Sequence, residues 1–199
     1  MVPFKCKNME EATNSSSGQR TREQTKRGQL SFKVLLSRRF SEVRHEWHAF
    51  KGESAGKYSP AVDLAVGPFA EGDLRLKDGY DELFLQHRGR LQRLIGAYPR
   101  DDLTLNRDID SINGANPNSR CFLAIELVHS GSRKHRIGDI VNACSLGRVG
   151  IIIAWDASIQ KSFFGIARYL NFLMEKKKVS YEIANLILTT RDLFRESFS

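Results

Sequence analysis

The stretch CFLAIELVHSGSRKHRIGDIVNACSLGRVGIIIAW, residues 121–155, decides the fold class. Two short runs rich in Ile, Leu and Val, Cys121–Val128 and Val149–Trp155, are bounded by turn or polar residues, as buried strands are. Between them Ile137, Ile140, Val141 and Cys144 recur at steps of three and four, which marks one apolar face of a helix. Gly147 is placed to close that helix through a positive φ. Strand, helix and strand within about 35 residues is the size of a βαβ unit. Glu126 breaks the first run. A charged group in a buried strand is costly unless compensated, and three roles are open for it. It can face a solvated side of the sheet, pair with Lys134 for structure alone, or hold a divalent cation at the carboxyl end of the strand, where open α/β sheets bind ligands.

Outward from this unit, Ser158 to Lys176 is expected as a helix capped by Ser158, with Phe163, Ile166, Ala167, Leu170 and Phe172–Leu173 packing inward. Residues 184–188 with their flanks read as a last strand, and 191–198 as a terminal helical turn or tail. Upstream, Leu36, Phe40, Val43, Trp47 and Phe50 step by four and three, predicting an amphipathic helix that ends at Gly52 and carries Glu42 and Glu46 one turn apart. Lys57–Phe69 reads as a strand with Val62, Leu64 and Val66 on one face and Ala61, Asp63 and Ala65 on the other. The small neighbours of Asp63 leave room for an ion or another backbone. Residues 70–119 form an insertion, with a helix over Tyr80–Ala97 and turn signals after it. Asp101, Asp102, Asp108 and Asp110 lack the ligand order and closing Glu of an EF-hand, which favours a plain loop.

The chain has 199 residues, of which 41% are hydrophobic, enough for one domain plus a tail. No apolar run approaches the ~18 residues of a membrane helix. Three cysteines without metal-ligand spacing point to free thiols in a reducing, cytoplasmic setting. The net charge is +8, but residues 1–39 carry nine Lys/Arg against three Glu, which leaves only +2 for residues 40–199. Residues 1–29 are therefore expected to be a basic, disordered leader able to attract phosphates, and 30–199 a single α/β domain.

The loop Ser130–Arg136 is the most phosphate-friendly part of the folded body. Ser130 or Ser132 can cap the following helix, whose amides attract anions, and Arg133, Lys134 and Arg136 add charge, with Arg148 approaching from the far end of the unit. It lacks the spacing of a P-loop or a dinucleotide fold. His129 and His135 flank it without a partner ligand at helical spacing, which favours polar surface over an acid/base or zinc role. Asn142, His135, Gly138 and Ser145 form a polar stripe that suits a cleft or a subunit contact, so a homodimer is allowed.

A helix, a strand bearing Asp63, a strand bearing Glu126, then a crossover helix and strand resemble the PD-(D/E)XK (restriction endonuclease-like) nuclease superfamily. Ser59-Pro60-Ala61-Val62-Asp63 and Ala124-Ile125-Glu126-Leu127-Val128 carry the resemblance, with SGSRKHRIGDIVNACSLGRVGIII after them, over roughly residues 41–155. It implies a mixed central sheet flanked by helices and Mg²⁺- or Mn²⁺-dependent hydrolysis of nucleic-acid phosphodiesters, DNA favoured over RNA. It also implies Asp63 and Glu126 as catalytic metal ligands, the Leu127 carbonyl beside them, and Glu46 or Glu42 as an accessory carboxylate. Val128 stands where the family has lysine, and Lys134, one turn before Ile137, is the available substitute to position water or stabilise charge. Ser132, Arg133 and Arg136 would contact phosphate. The alternatives are a noncatalytic nucleic-acid-binding module of the same fold, and an interaction domain in which Glu126 and Lys134 form only an ion pair.

Overall fold

The computed structural model describes residues 23–50, 59–70, 77–96, 98–99, 105–180 and 182–199. Helix α1 covers residues 23–36. Strands β1 (Val43–His48) and β2 (Ala61–Val66) follow, then α2 (Lys77–Gly96), α3 (Ile109–Gly114), β3 (Cys121–Val128) and α4 (Arg133–Leu146). The chain finishes with β4 (Gly147–Ala154), α5 (Ala157–Glu175), β5 (Leu186–Thr190) and α6 (Arg191–Phe198). The five strands form one sheet in chain order, β1-β2-β3-β4-β5. The pairs β1–β2 and β2–β3 are antiparallel, while β3–β4 and β4–β5 are parallel. This is the expected α/β class with a mixed sheet. No helix among the described residues is long and apolar enough to cross a membrane.

Every residue of β3 and β4 is buried, so these strands are covered on both faces, as parallel strands in α/β folds are. Helices α4 and α5 pack on each other and on β3–β5, while α2 and α6 pack together against the β4–β5 side. Helix α1 joins α6 through Phe32, whose ring meets Phe194 edge-on at 5.3 Å. Asn116 and Asn185 donate from their side-chain amides to the carbonyls of Cys144 and Gly147, satisfying groups that the end of α4 leaves open. Cys121 and Cys144 are buried free thiols.

Several local expectations are corrected. The first helix does not reach Phe50. It starts at residue 23, inside the stretch expected to be a disordered leader, and ends at 36. Residues 1–22 lie outside the described residues. Val43–His48 is instead an edge strand, because its pattern also alternates: Arg44, Glu46 and His48 are exposed while Val43, His45 and Trp47 turn inward. The loop after α2 contains the short helix α3, capped by Asp108. Asp110 pairs with Arg88 there at 2.6 Å, which accounts for both acids without calcium; Asp101 and Asp102 lie outside the described residues. Asp156, not Ser158, caps α5, accepting from the Ile159 amide at 2.9 Å. Phe172 on α5 is exposed instead of packed inward, while Arg191–Phe198, read as a helical turn or a tail, forms a helix.

Gly147 is needed for space and not for a positive φ. It leaves α4 at φ −85, ordinary extended backbone. A Cβ there would sit 2.5 Å from the Val149 carbonyl oxygen and 2.8 Å from the Ala124 amide nitrogen. Since these are backbone atoms of two paired strands, relief requires β3 and β4 to separate. Gly147→Ala should cost about 1–3 kcal/mol, the usual range for overpacking, read as a lower denaturant midpoint with an unchanged m-value.

Candidate metal and acid pocket

The site forms where β2 and β3 part. Their ladder pairs Val66 with Leu123, Ala65 with Ala124 and Leu64 with Ile125. One step further the same register sets Asp63 opposite Glu126, and here side chains replace the backbone rung. The Asp63 amide donates to Glu126 Oε2 at 3.3 Å, and the Leu127 amide donates to Asp63 Oδ2 at 2.8 Å. Both carboxyls thus satisfy backbone donors that the splayed strands would otherwise leave unpaired. Glu126 is only 7% exposed.

Helix α1 completes the support of Asp63. Gln29, buried beneath the helix, donates from Nε2 to Asp63 Oδ1 at 2.6 Å, and its Oε1 accepts from His45 Nε2 at 3.0 Å. Helix α1 can lie this close because residue 28 is glycine. A Cβ on Gly28 would come within 2.8 Å of Leu127 Cδ2 and 3.2 Å of the Trp155 ring.

A cavity of about 350 Å³ opens beside the two carboxyls, lined by them together with Thr25, His129, Ser130, His135 and Asp139, among others. Asp139 was absent from the sequence expectation. It lies four residues after His135 on α4, hence on the same helix face, so His135 does have a carboxyl at helical spacing. All three acids hold protons more tightly than usual. Burial pushes Glu126 well above the carboxylate range, and the nearby charges of Asp63 and Asp139 add to it. Burial also raises Asp63, against the pull of the Leu127 and Gln29 donors. Asp139 is raised to about 7 by burial and then by Asp63, with Arg136 acting in the opposite direction.

The other expected residues separate into two groups. Glu46 is on β1 and not on a helix, yet the β1–β2 register, with His45 opposite Leu64 and Trp47 opposite Val62, sets it across from Asp63. Its backbone is left-handed at φ 46, its side chain is exposed, and its charge raises Asp63. Glu42, by contrast, lies at the Gly67 end of the hairpin, bonded through its carbonyl to the Gly67 amide. Ser132 caps α4 as expected. Lys134 is exposed and does not line the pocket, and no ion pair joins it to buried Glu126 among the described residues. Arg133 lines a separate groove between α4 and α5, and Arg136 donates to Ser162 Oγ on α5, so neither lines the pocket, although the charge of Arg136 acts on Asp139. Arg148 is also structural: it is buried, bonded to Asp81 at 2.9 Å and to Asn113 at 3.1 Å. It lies at the opposite end of β4 from the pocket.

Among the described residues no three His, Cys, Asp or Glu side chains converge as a ready-made metal cage. The donor set is therefore Asp63 with Glu126, oxygen only, with Asp139 at the rim. That fits Mg²⁺ or Mn²⁺, hard ions that take one or two carboxylates and keep several waters, and does not fit a closed zinc site. No protein-family model, no curated protein and no solved structure matches this chain.

A carboxyl that binds its proton more tightly when folded contributes stability that is complete below its ordinary pKa and is lost as pH rises through the folded value. For Asp139 that window runs from 3.8 to about 7. Asp139→Asn should therefore stabilise the metal-free protein at about pH 8 by ~1–2 kcal/mol, with the gain vanishing near pH 4. Thermal melts in EDTA across that range check this.

Proposed function

We propose that this chain is a metal-dependent nuclease that hydrolyses nucleic-acid phosphodiesters, with Asp63 and Glu126 as the residues that hold the cation. One observation carries the reading. Two acids 63 residues apart in sequence meet at the carboxyl end of a parallel strand, each taking a backbone hydrogen bond of the other's strand. A pair of buried carboxyls costs the fold stability, and a divalent cation is the ligand whose charge offsets that cost.

Such a cation, once bound, lowers the pKa of a coordinated water and neutralises charge on the scissile phosphate. The chain's own residues do the rest. Leu127 and Gln29 fix the Asp63 carboxyl in one orientation, and His45 fixes Gln29 in turn. Thr25 lines the pocket, and exposed Lys26 and Arg27 follow it on α1. An acidic centre with basic residues beside it suits a polyanion whose reacting phosphate meets the cation and whose flanking phosphates meet lysine and arginine. The β1–β2 hairpin, β3, α4 and β4 support the resemblance to the PD-(D/E)XK superfamily, whereas the helix expected over Leu36–Phe50 is replaced by strand β1, with α1 lying before it. DNA as substrate and a cytoplasmic location belong to this proposal.

A noncatalytic nucleic-acid-binding module is the second reading, favoured by Val128 in the lysine position and by the exposed placement of Lys134. Incubating single- and double-stranded DNA and RNA with the protein and Mg²⁺ or Mn²⁺ separates the two. Cleavage is expected, reduced at least ~100-fold in Asp63→Asn and in Glu126→Gln, since metal-ion stabilisation supplies several kcal/mol. Cleavage that survives both substitutions refutes the assignment, and salt-sensitive binding without cleavage favours the module.

A further inference from the structure

Among the described residues, neither lysine nor arginine lines the carboxylate pocket, so the positive or hydrogen-bonding partner for a phosphate oxygen must come from elsewhere. Two imidazoles line it, His129 and His135. They are not equivalent. The His129 ring packs against Trp155, with centroids 4.7 Å apart, and its Nδ1 is buried without a partner. His135 is exposed on the first turn of α4, one turn before Asp139.

The hydrogen bonds of His135 fit a tautomer with its proton on Nε2. Ser132 Oγ accepts from the His135 backbone amide at 3.4 Å and lies 3.2 Å from His135 Nδ1. The hydroxyl keeps its own proton to donate to Nδ1. With Nδ1 accepting it, the ring proton is on Nε2, the nitrogen left for a ligand. Lys134 precedes His135 by one residue, about 100° around the helix, whereas Asp139 is only about 40° away. The face of α4 that carries the pocket acid thus carries His135 and not Lys134.

We propose that His135 is a catalytic residue that donates a hydrogen bond from Nε2–H to a nonbridging oxygen of the scissile phosphate, in place of the lysine that Val128 displaces. This rests on the nuclease reading above. The contact forms no bond and transfers no proton; it stabilises negative charge as water attacks phosphorus and the ester oxygen departs.

The test uses the full chain and a fluorescein-labelled DNA strand, single and annealed, with two readouts: binding in EDTA by anisotropy, and cleavage in Mg²⁺ or Mn²⁺. Loss of one preorganised donor to a developing oxyanion reduces turnover by about 100- to 1,000-fold. His135→Ala should show that loss together with a binding deficit of roughly tenfold or more, the scale of one hydrogen bond to a charged group. His135→Gln, which keeps an amide donor, should recover at least part of both, and Lys134→Ala should change turnover less than about threefold, as for a rim charge. Wild-type turnover and affinity in His135→Ala, or a loss carried by Lys134→Ala, overturns the assignment. A wild type that binds without cleaving removes the nuclease reading alone, and the EDTA affinities then decide whether His135 touches phosphate. A wild type that neither binds nor cleaves overturns both.

Discussion

Everything distinctive about this molecule follows from the point at which β2 leaves β3. Up to Leu64 and Ile125 the strands pair through their backbones. Beyond them the β2–β3 ladder ends, while β3 continues beside β4. An opened ladder exposes amides that need acceptors, and Asp63 and Glu126 supply them reciprocally. The carboxyls are thereby structural acceptors and a chemical site at once. The same opening leaves room for α1, which reaches the gap through Gly28 and fixes Asp63 through Gln29.

The arrangement is electrostatically uphill. Burial makes each of the three acids that line one cavity bind its proton more tightly than an ordinary carboxyl, and the charge of Asp63 adds to this at both Glu126 and Asp139. Helix α4 offsets this only at Asp139, through the charge of Arg136, whose guanidinium bonds Ser162, while Arg133 turns to the α5 groove. Among the described residues no lysine or arginine lines the cavity to offset these acids directly.

How much of this was legible in the sequence depended on whether a signal was local. Strands β3 and β4 and helix α4 follow from apolar runs and a 3.6-residue stripe, because burial on both faces leaves little ambiguity in composition. Asp63 and Glu126 stood out as acids among small or apolar neighbours. The segment from Leu36 to Phe50 was misread because its large residues fit two periods: Phe32 and Leu36 are buried in a helix, whereas Val43, His45 and Trp47 alternate inward on a strand. Gln29 was hidden in a polar stretch that composition alone assigns to a leader. Asp139 was missed although it sits between Gly138 and Ile140. Its burial arises only when α4 crosses over β3, a long-range consequence that no local pattern encodes. Arg148 was read as a phosphate ligand for the converse reason, since its partners Asp81 and Asn113 come from the insertion.

The most direct test of the central claim is calorimetric titration of the chain with Mn²⁺ in buffers of different ionisation enthalpy near neutral pH. Because burial makes the pocket acids bind protons more tightly than ordinary carboxyls, Mn²⁺ competes with protons for them. The account predicts one site, an observed enthalpy that varies with the buffer, tighter binding at higher pH, and loss of all three in Glu126→Gln. Binding that is absent at millimolar Mn²⁺, or that Glu126→Gln leaves intact, would contradict it.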